Sequence, residues 1–402
     1  MLLLDDPIQA YAWGAVDGFS SLLGSEPSGG PEAEVWVGTH PAAPSVLADD
    51  PDRTLAAVIA SDPATLLGAD VVAAFGPDLP FLLKVLCIGA PLSLQAHPSP
   101  AQAARGFARE EAAGIPRDAA HRTYRDPSAK PELLVALVDT WALGGFRAPV
   151  EAAALVAGLD APGLGPLAAA LAQPDAVATR AAMAWLLGLA GPARHAVAEA
   201  VGAAVGPRPP GDDDDLADPR TWVRRLAAEH PGDPACVAPL LLNLIHLAPG
   251  EAVHLPAGNL HAYLRGAGVE LMAASDNVLR GGLTVKHVDV AELLDVLDFA
   301  PARPPAVRPQ PSGPGVLTYD AGEPSFRLTA LRPAEAGGPI GVPATGPRLL
   351  LATGGTATVR GAGAELSLGG GRAVFVGADE GPVEVAGPST VWCATTGARP
   401  AR

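Results

Sequence analysis

A block of Ala- and Leu-rich segments at residues 149–235 interrupts a chain that otherwise reads as short strands and turns, and this interruption limits the architectures open to it. EAAALVAGL, PLAAALAQ and RAAMAWLLGLAGPARHAVAEAVGAAV are strong helix formers broken by Gly and Pro. On the N-terminal side, EVWVGTHP (34–41) alternates with the period of two of a strand. FLLKVLCIG (81–89) reads as a buried strand, and KPELLVALVDTWALGGF (130–146) returns to strand-like runs. SPAQAARGFAREEAAG (99–114) is a helical stretch with Pro100 near its start, where a missing N–H is harmless. Strands resume over 238–275 between PG, PAGN and RGAG turns, and residues 289–299 form a short closing helix. The last hundred residues are again short strands with Gly turns, the pattern of a β-sandwich or jelly roll. The chain therefore reads as mainly β with a helical insertion. Its expected parts are a discontinuous β domain of 1–148 and 236–300, a helical insertion of 149–235 and a C-terminal β-sandwich or jelly roll domain of 301–402.

The 402 residues suit two or three domains, and a 49% apolar content is enough for substantial cores. A net charge of -16 argues against nucleic acid and anionic membrane as partners. A small anionic substrate remains compatible, because a pocket needs only a few local cations. No apolar run reaches the roughly 20 residues that span a bilayer, and MLLLDDPIQAYAWG is a poor signal peptide. Cys87, Cys236 and Cys393 lie far apart without metal-type spacing and read as reduced core residues of a cytoplasmic protein. The stretch GPRPPGDDDDLADP (206–219) reads as an exposed acidic loop rather than a cation site, since adjacent like charges repel. No Gly-rich nucleotide loop is present.

The segment LSLQAHP (92–98) raises a sharper question. As a strand it turns Leu92, Leu94 and Ala96 to one side and Ser93, Gln95 and His97 to the other. A hydroxyl, an amide and an imidazole aimed at one spot suit a metal site, in which an i, i+2 pair supplies two ligands from one face. Glu132 in AKPELL and His261 in AGNLHAYL are further candidates. His254 in EAVHLP competes with His261, and strand parity does not choose between them because Pro256 and the turn at Gly258 intervene. Two imidazoles, one carboxylate and one amide oxygen suit zinc, with Mn, Co and Fe also compatible.

LKVLCIGAPLSLQAHP, KPELLVAL, PAGNLHAYL and GVELMAASDNVLRGGLTVKHVDV, together with PIQAYAWG and PEAEVWVGTHPAAPS, resemble the type I phosphomannose isomerases. These blocks run in order over residues 7–299. The resemblance implies a cupin-like jelly roll carrying the metal, a helical domain inserted into it and a second jelly roll behind. It implies one zinc ion per chain, held by Gln95, His97, Glu132 and His261. The other histidines (40, 121, 195, 230, 246, 254 and 287) then become structural or surface residues. No His follows His287, so the C-terminal domain is expected to serve packing or shape.

The implied reaction interconverts mannose 6-phosphate and fructose 6-phosphate through a metal-stabilised enediolate, with a phosphosugar as the one expected partner and a monomer as the expected state. Arg280, Glu270 and Lys130 are the implied catalytic residues: Arg280 to steady an oxyanion or phosphate, Glu270 and Lys130 to move protons. Lys84, Ser93 and Lys286 are expected at the phosphate, and Glu34, Trp13 and Tyr263 elsewhere around the substrate. The chain departs from the family at Ala129, where His is frequent, and at Val285, where Pro is usual. Two rival readings are a sugar-phosphate-binding cupin without catalysis and a cupin oxygenase. The second fits poorly with a Gln ligand beside lysines and an arginine.

Overall fold

The computed structural model describes residues 1–173, 175–207, 215–344 and 346–397. Alternation of side chains along the strands sorts them into layers. Phe81–Ile88 pairs with Glu34–Val37 on one side and with His261–Ala273 on the other, which in turn pairs with Glu132–Ala136. Val35, Val37, Leu83, Val85, Cys87, Leu133, Val135, Val269 and Leu271 fall in one apolar cluster. Their neighbours Glu34, Trp36, Lys84, Glu132 and Glu270 therefore look to the opposite face, into the first jelly roll.

The thirteen-residue strand His261–Ala273 serves two walls of that jelly roll. Its first half pairs with Thr140–Phe146 and, at His261, with Gln95; its second half pairs with Phe81–Ile88 and Glu132–Ala136. The bend falls at Gly266, whose φ of 123° is open only to glycine, and whose missing side chain lets Thr140 come close. This curvature brings groups from distant segments to one cavity.

The helical insertion backs the strands that carry the site. It comprises Pro149–Ala157, Gly165–Leu171, Asp175–Gly188, Gly191–Val205 and Pro219–Glu229. Leu94, Ala96, Leu260, Ala262, Leu264 and Leu279 bury into the same cluster as Leu167, Met183, Leu186, Val201 and Trp222 from these helices. Since alternate residues face opposite ways, burying that apolar set against helices turns Gln95, His97, His261, Tyr263 and Arg280 toward the cavity.

The C-terminal part is a second sandwich. One nine-stranded sheet is buried on both faces: Leu349, Leu351, Phe375 and Trp392 join the cluster shared with the first jelly roll. Leu350, Val374 and Val391 face a four-stranded sheet across a separate apolar core. This large sheet also takes in Leu2–Asp5, Val46–Leu47 and Asp50–Thr54 from the N-terminal end. We propose 1–148 with 236–300, 149–235 and 301–402 as the domains, the first lending these three strands to the last.

Several local expectations change. The strand expected across 92–98 is only Gln95–Ala96, with exposure alternating over residues 93–96 and His97 buried. Residues 1–100 also contain four short helices: Gly18–Leu23, Leu55–Ser61, Pro63–Leu67 and Ala69–Phe75. At five to seven residues they are too short to show a helical period. Thr54 and Asp62 cap two of them by accepting from Ala57 N and Thr65 N. The closing helix spans Val290–Val296 and is capped by Asp289. Of the acidic loop, residues 208–214 lie outside the described residues. Among the described residues no single helix is long and apolar enough to cross a membrane.

Candidate metal centre

His97 sits just past the short strand Gln95–Ala96 and is fully buried. Its Nδ1–H donates to the main-chain oxygen of Asn277 at 2.7 Å. His261, at the start of the long strand, donates Nδ1–H to Asn259 O at 3.0 Å. A carbonyl oxygen only accepts, so each ring carries its proton on Nδ1 and leaves Nε2 as the inward nitrogen. The two Nε2 atoms face the two oxygens of Glu132, each at 3.3 Å. Burial pushes the His97 imidazole below its usual range despite the nearby Glu132 charge, so the ring is neutral. Burial alone would raise the Glu132 carboxyl, but the Lys130 ammonium beside it holds it well below the usual carboxylate range.

Two inward ring nitrogens thus converge on a buried carboxylate, and His97 Nε2 makes no hydrogen bond. A cation between them would relieve this arrangement, and the donor atoms lie within 4.8 Å of one another. The donor set fits zinc, for which imidazole and carboxylate are ordinary ligands. Gln95 lies directly opposite His261 in register, and its Nε2 donates to Ser93 Oγ at 3.4 Å. His254 stands apart: Val253 and Leu255 take the interior face of its strand, and its Nε2 lies 3.0 Å from Glu323 Oε1.

Lys130 Nζ lies 2.8 Å from Glu132 Oε1, and Ala129 beside it is half-buried. A second charged group occupies the floor of the jelly roll. Lys84 lies 3.8 Å from Glu34 and 3.5 Å from Glu270, with its ammonium 4.9 Å above the Trp36 ring. Burial would lower this lysine, but Glu34, Glu270 and Glu132 together hold it above its usual range. Its buried charge is thus flanked by two carboxylates. Burial, then the Glu132 charge, raises the Glu270 carboxyl, whose Oε1 accepts from Tyr263 OH at 3.0 Å. Glu34 also accepts from Trp36 Nε1. Trp13 is half-buried and stacks against Tyr11, with ring centroids 6.0 Å apart.

At the other end of the cavity, Arg280 pairs in register with Gln95. Burial, followed by repulsion from Arg125, lowers the Arg280 guanidinium; burial with repulsion from both arginines lowers Lys286. Three cations therefore share this end, and Arg125 is the one that the sequence reading missed. Nothing in YRDPSAKPE marks it, since one arginine in a turn looks like a solvated charge. His40 and Asp276 are a second unforeseen pair. Ala42 N donates to His40 Nδ1 at 3.2 Å, so Nε2 carries the proton and donates to Asp276 Oδ1 at 2.9 Å. That bond holds the Asp276 carboxyl below its usual range. His40, Asp276 and Arg125 line a neighbouring cavity of about 810 Å³.

Residues 1–149 match the family described as phosphomannose isomerase type I, catalytic domain. The chain is 37% identical over 396 residues to the mannose-6-phosphate isomerase of Escherichia coli (strain K12), covering 96% of this chain and 97% of that one. With the Bos taurus mannose-6-phosphate isomerase it shares 33% identity over 357 residues, covering 80% and 79% respectively. Among solved structures, an alanine mutant of phosphomannose isomerase from Salmonella typhimurium superposes with a TM-score of 0.87 at 33% identity, over 99% of this chain and 100% of that one. A zinc-bound holo mannose 6-phosphate isomerase gives a TM-score of 0.85 at 33% identity, over 99% of each chain.

Proposed function

The chain belongs to the type I phosphomannose isomerases and is a zinc-dependent enzyme interconverting mannose 6-phosphate and fructose 6-phosphate; from that premise we propose the following roles for its residues. The convergence of His97 Nε2, His261 Nε2 and both Glu132 oxygens carries the reading. Gln95, opposite His261, completes the ligand set through its amide oxygen. Zinc held by two neutral imidazoles, one amide and one carboxylate keeps a net positive charge and supplies a Lewis acid for sugar oxygens that become negative.

The remaining chemistry falls to the chain. Isomerisation removes the C2 proton, forms a C1–C2 double bond from its electron pair, and returns a proton to C1. Glu270, raised by burial, is a stronger base than an exposed carboxylate and is proposed to take the C2 proton. Tyr263 and Lys84 fix its orientation. Lys130, whose ammonium reaches Glu132, is proposed to move hydroxyl protons at O1 and O2. Arg280, Lys286 and Arg125 hold the phosphate, for which an arginine fork is well shaped. Ser93 positions the Gln95 amide, while Trp13 and Glu34 shape the cavity wall.

A monomer in a reducing compartment is proposed with this assignment; all three cysteines are buried thiols. Size-exclusion chromatography with light scattering tests the monomer. For the chemistry, a coupled assay of fructose 6-phosphate should fall to background after chelation and recover when zinc is added. Turnover by metal-free protein would overturn the mechanism.

A further inference from the structure

Asn277 is fully buried, and its hydrogen bonds reach both ends of the site. Its main-chain oxygen receives the Nδ1–H of His97 at 2.7 Å. Its side-chain Oδ1 accepts from Arg125 N at 2.8 Å and Asp126 N at 3.4 Å. Its Nδ2 donates to Asp126 O at 2.7 Å and to Ser128 O at 2.8 Å. From the other side, Asp126 Oδ2 accepts from Asp276 N at 2.8 Å, and Ser275 Oγ donates to Asp126 Oδ1 at 2.9 Å. The loops 125–128 and 275–277 are therefore laced together. The first leads directly to Lys130 and Glu132, the second to Arg280.

We propose that Asn277 is a positioning residue that sets the His97 ring at the metal position and Arg125 at the phosphate end, so that zinc retention and phosphosugar affinity are coupled through one buried amide. The proposal rests on the roles assigned above to His97 and Arg125. Only a carboxamide can act here without conflict. It accepts two main-chain N–H groups while donating to two carbonyls, which an aspartate side chain cannot do. A carboxylate at this position would also stand beside the Asp126 carboxylate, 3.3 Å from the present Nδ2. Alanine would leave Arg125 N, Asp126 N and Asp126 O without this partner and Ser128 O with only its bond from Ser275 Oγ at 3.2 Å, and the lacing of the two loops would weaken. The main-chain carbonyl of residue 277, which fixes the His97 tautomer, would then be held less firmly, and outer partners of metal-bound histidines are worth about 10–100-fold in metal affinity.

The test measures zinc affinity by chelator competition and KM for mannose 6-phosphate at saturating zinc, on protein whose fold is verified by circular dichroism. Asn277→Ala should weaken zinc binding about 10–100-fold and raise KM several-fold. Asn277→Ser keeps a small polar side chain whose hydroxyl can still accept from Arg125 N and adds no charge beside Asp126, so it should shift both quantities in the same direction by less. It carries the test if the alanine variant does not fold. Arg125→Ala should raise KM while zinc affinity stays within about twofold of wild type. A purely structural role for Asn277 would lower the melting temperature and leave zinc affinity and KM of the folded variant unchanged, and that result overturns the proposal. A His97→Ala control separates the two levels. If it loses zinc while folded Asn277 variants keep it, only the positioning role falls; if it retains zinc, the ligand assignment falls as well.

Discussion

The first jelly roll and the C-terminal sandwich are built from the same kind of alternating strands, yet they bury opposite chemistry. Between the two C-terminal sheets lie Leu350, Val359, Leu368, Val374, Val385 and Val391, all fully buried and apolar. Inside the first jelly roll lie Lys84, His97, Glu132, His261 and Glu270, buried almost as completely. Removing ions from water is expensive, and buried ion pairs are often no better than well-packed hydrophobic residues. The C-terminal interior is thus mainly apolar, and its buried Arg348 is satisfied by main-chain oxygens of residues 343, 377, 380 and 381 rather than by a charged cluster. The charges of the first interior are retained against that preference, and each has an opposite charge or a prospective cation beside it.

Four substitutions probe this contrast. The largest effect should come from Arg280→Ala, with kcat/KM falling by roughly 10²-fold, as expected when a charge-assisted fork to phosphate worth about 3 kcal/mol is lost. Zinc content by metal analysis should stay at one per chain, and loss of the metal would break the division between ligand and charge-holding residues. Next, Lys84→Met would leave the Glu34 and Glu270 carboxylates facing each other without a cation. It should lower unfolding free energy by about 3–5 kcal/mol in urea titrations. An unchanged midpoint would mean that the first interior tolerates unpaired charge.

In the apolar interior, Leu350→Ala should cost about 2–5 kcal/mol through transfer and cavity terms. Turnover per folded molecule should be unaffected, whereas a fall in kcat would show that the C-terminal sandwich shapes the site directly.

The smallest effect concerns Asp6, where the chain crosses from the C-terminal sheet (Leu2–Asp5) to the first one (Ile8–Gln9). Burial pushes its carboxyl up to about 7, against the opposing pull of Ser45 and Arg372. Between the unfolded value of 3.8 and about 7 the folded chain holds more protons than the unfolded one. Stability from this group therefore falls as pH rises through that window, and the loss is complete above it. Asp6→Asn should gain about 1–3 kcal/mol over wild type at pH 8, allowing for screening, and nothing at pH 3. Equal stability curves at both pH values would remove this cost from the crossing.

Much of this organisation was legible in the sequence. The helical block, the strand groups and the turn positions follow from local periodicity. So does the sharing of one face by Ser93, Gln95 and His97, even though the regular strand there shrinks to two residues. The short helices between residues 18 and 75 escaped because one or two turns carry too few residues for a period to register. The ligand candidates were legible as residue types, but their assembly was not. His254 and His261 looked equivalent until strand pairing turned one toward Glu323 and the other toward Glu132. Lys84 reads from the strand pattern as a lone cation, and only the fold sets Glu34 and Glu270 on either side of it.

By itself, then, the sequence determined which side chains share a face, because alternation along a strand is a property of local backbone geometry. Only the tertiary structure decided which faces meet. Strand register, the bend at Gly266 and the lacing by Asn277 join residues more than a hundred positions apart, and no local pattern records such distances. The metal centre and the Arg125, Arg280 and Lys286 cluster belong to this second kind of information, because each is made by closing long stretches of chain onto one cavity.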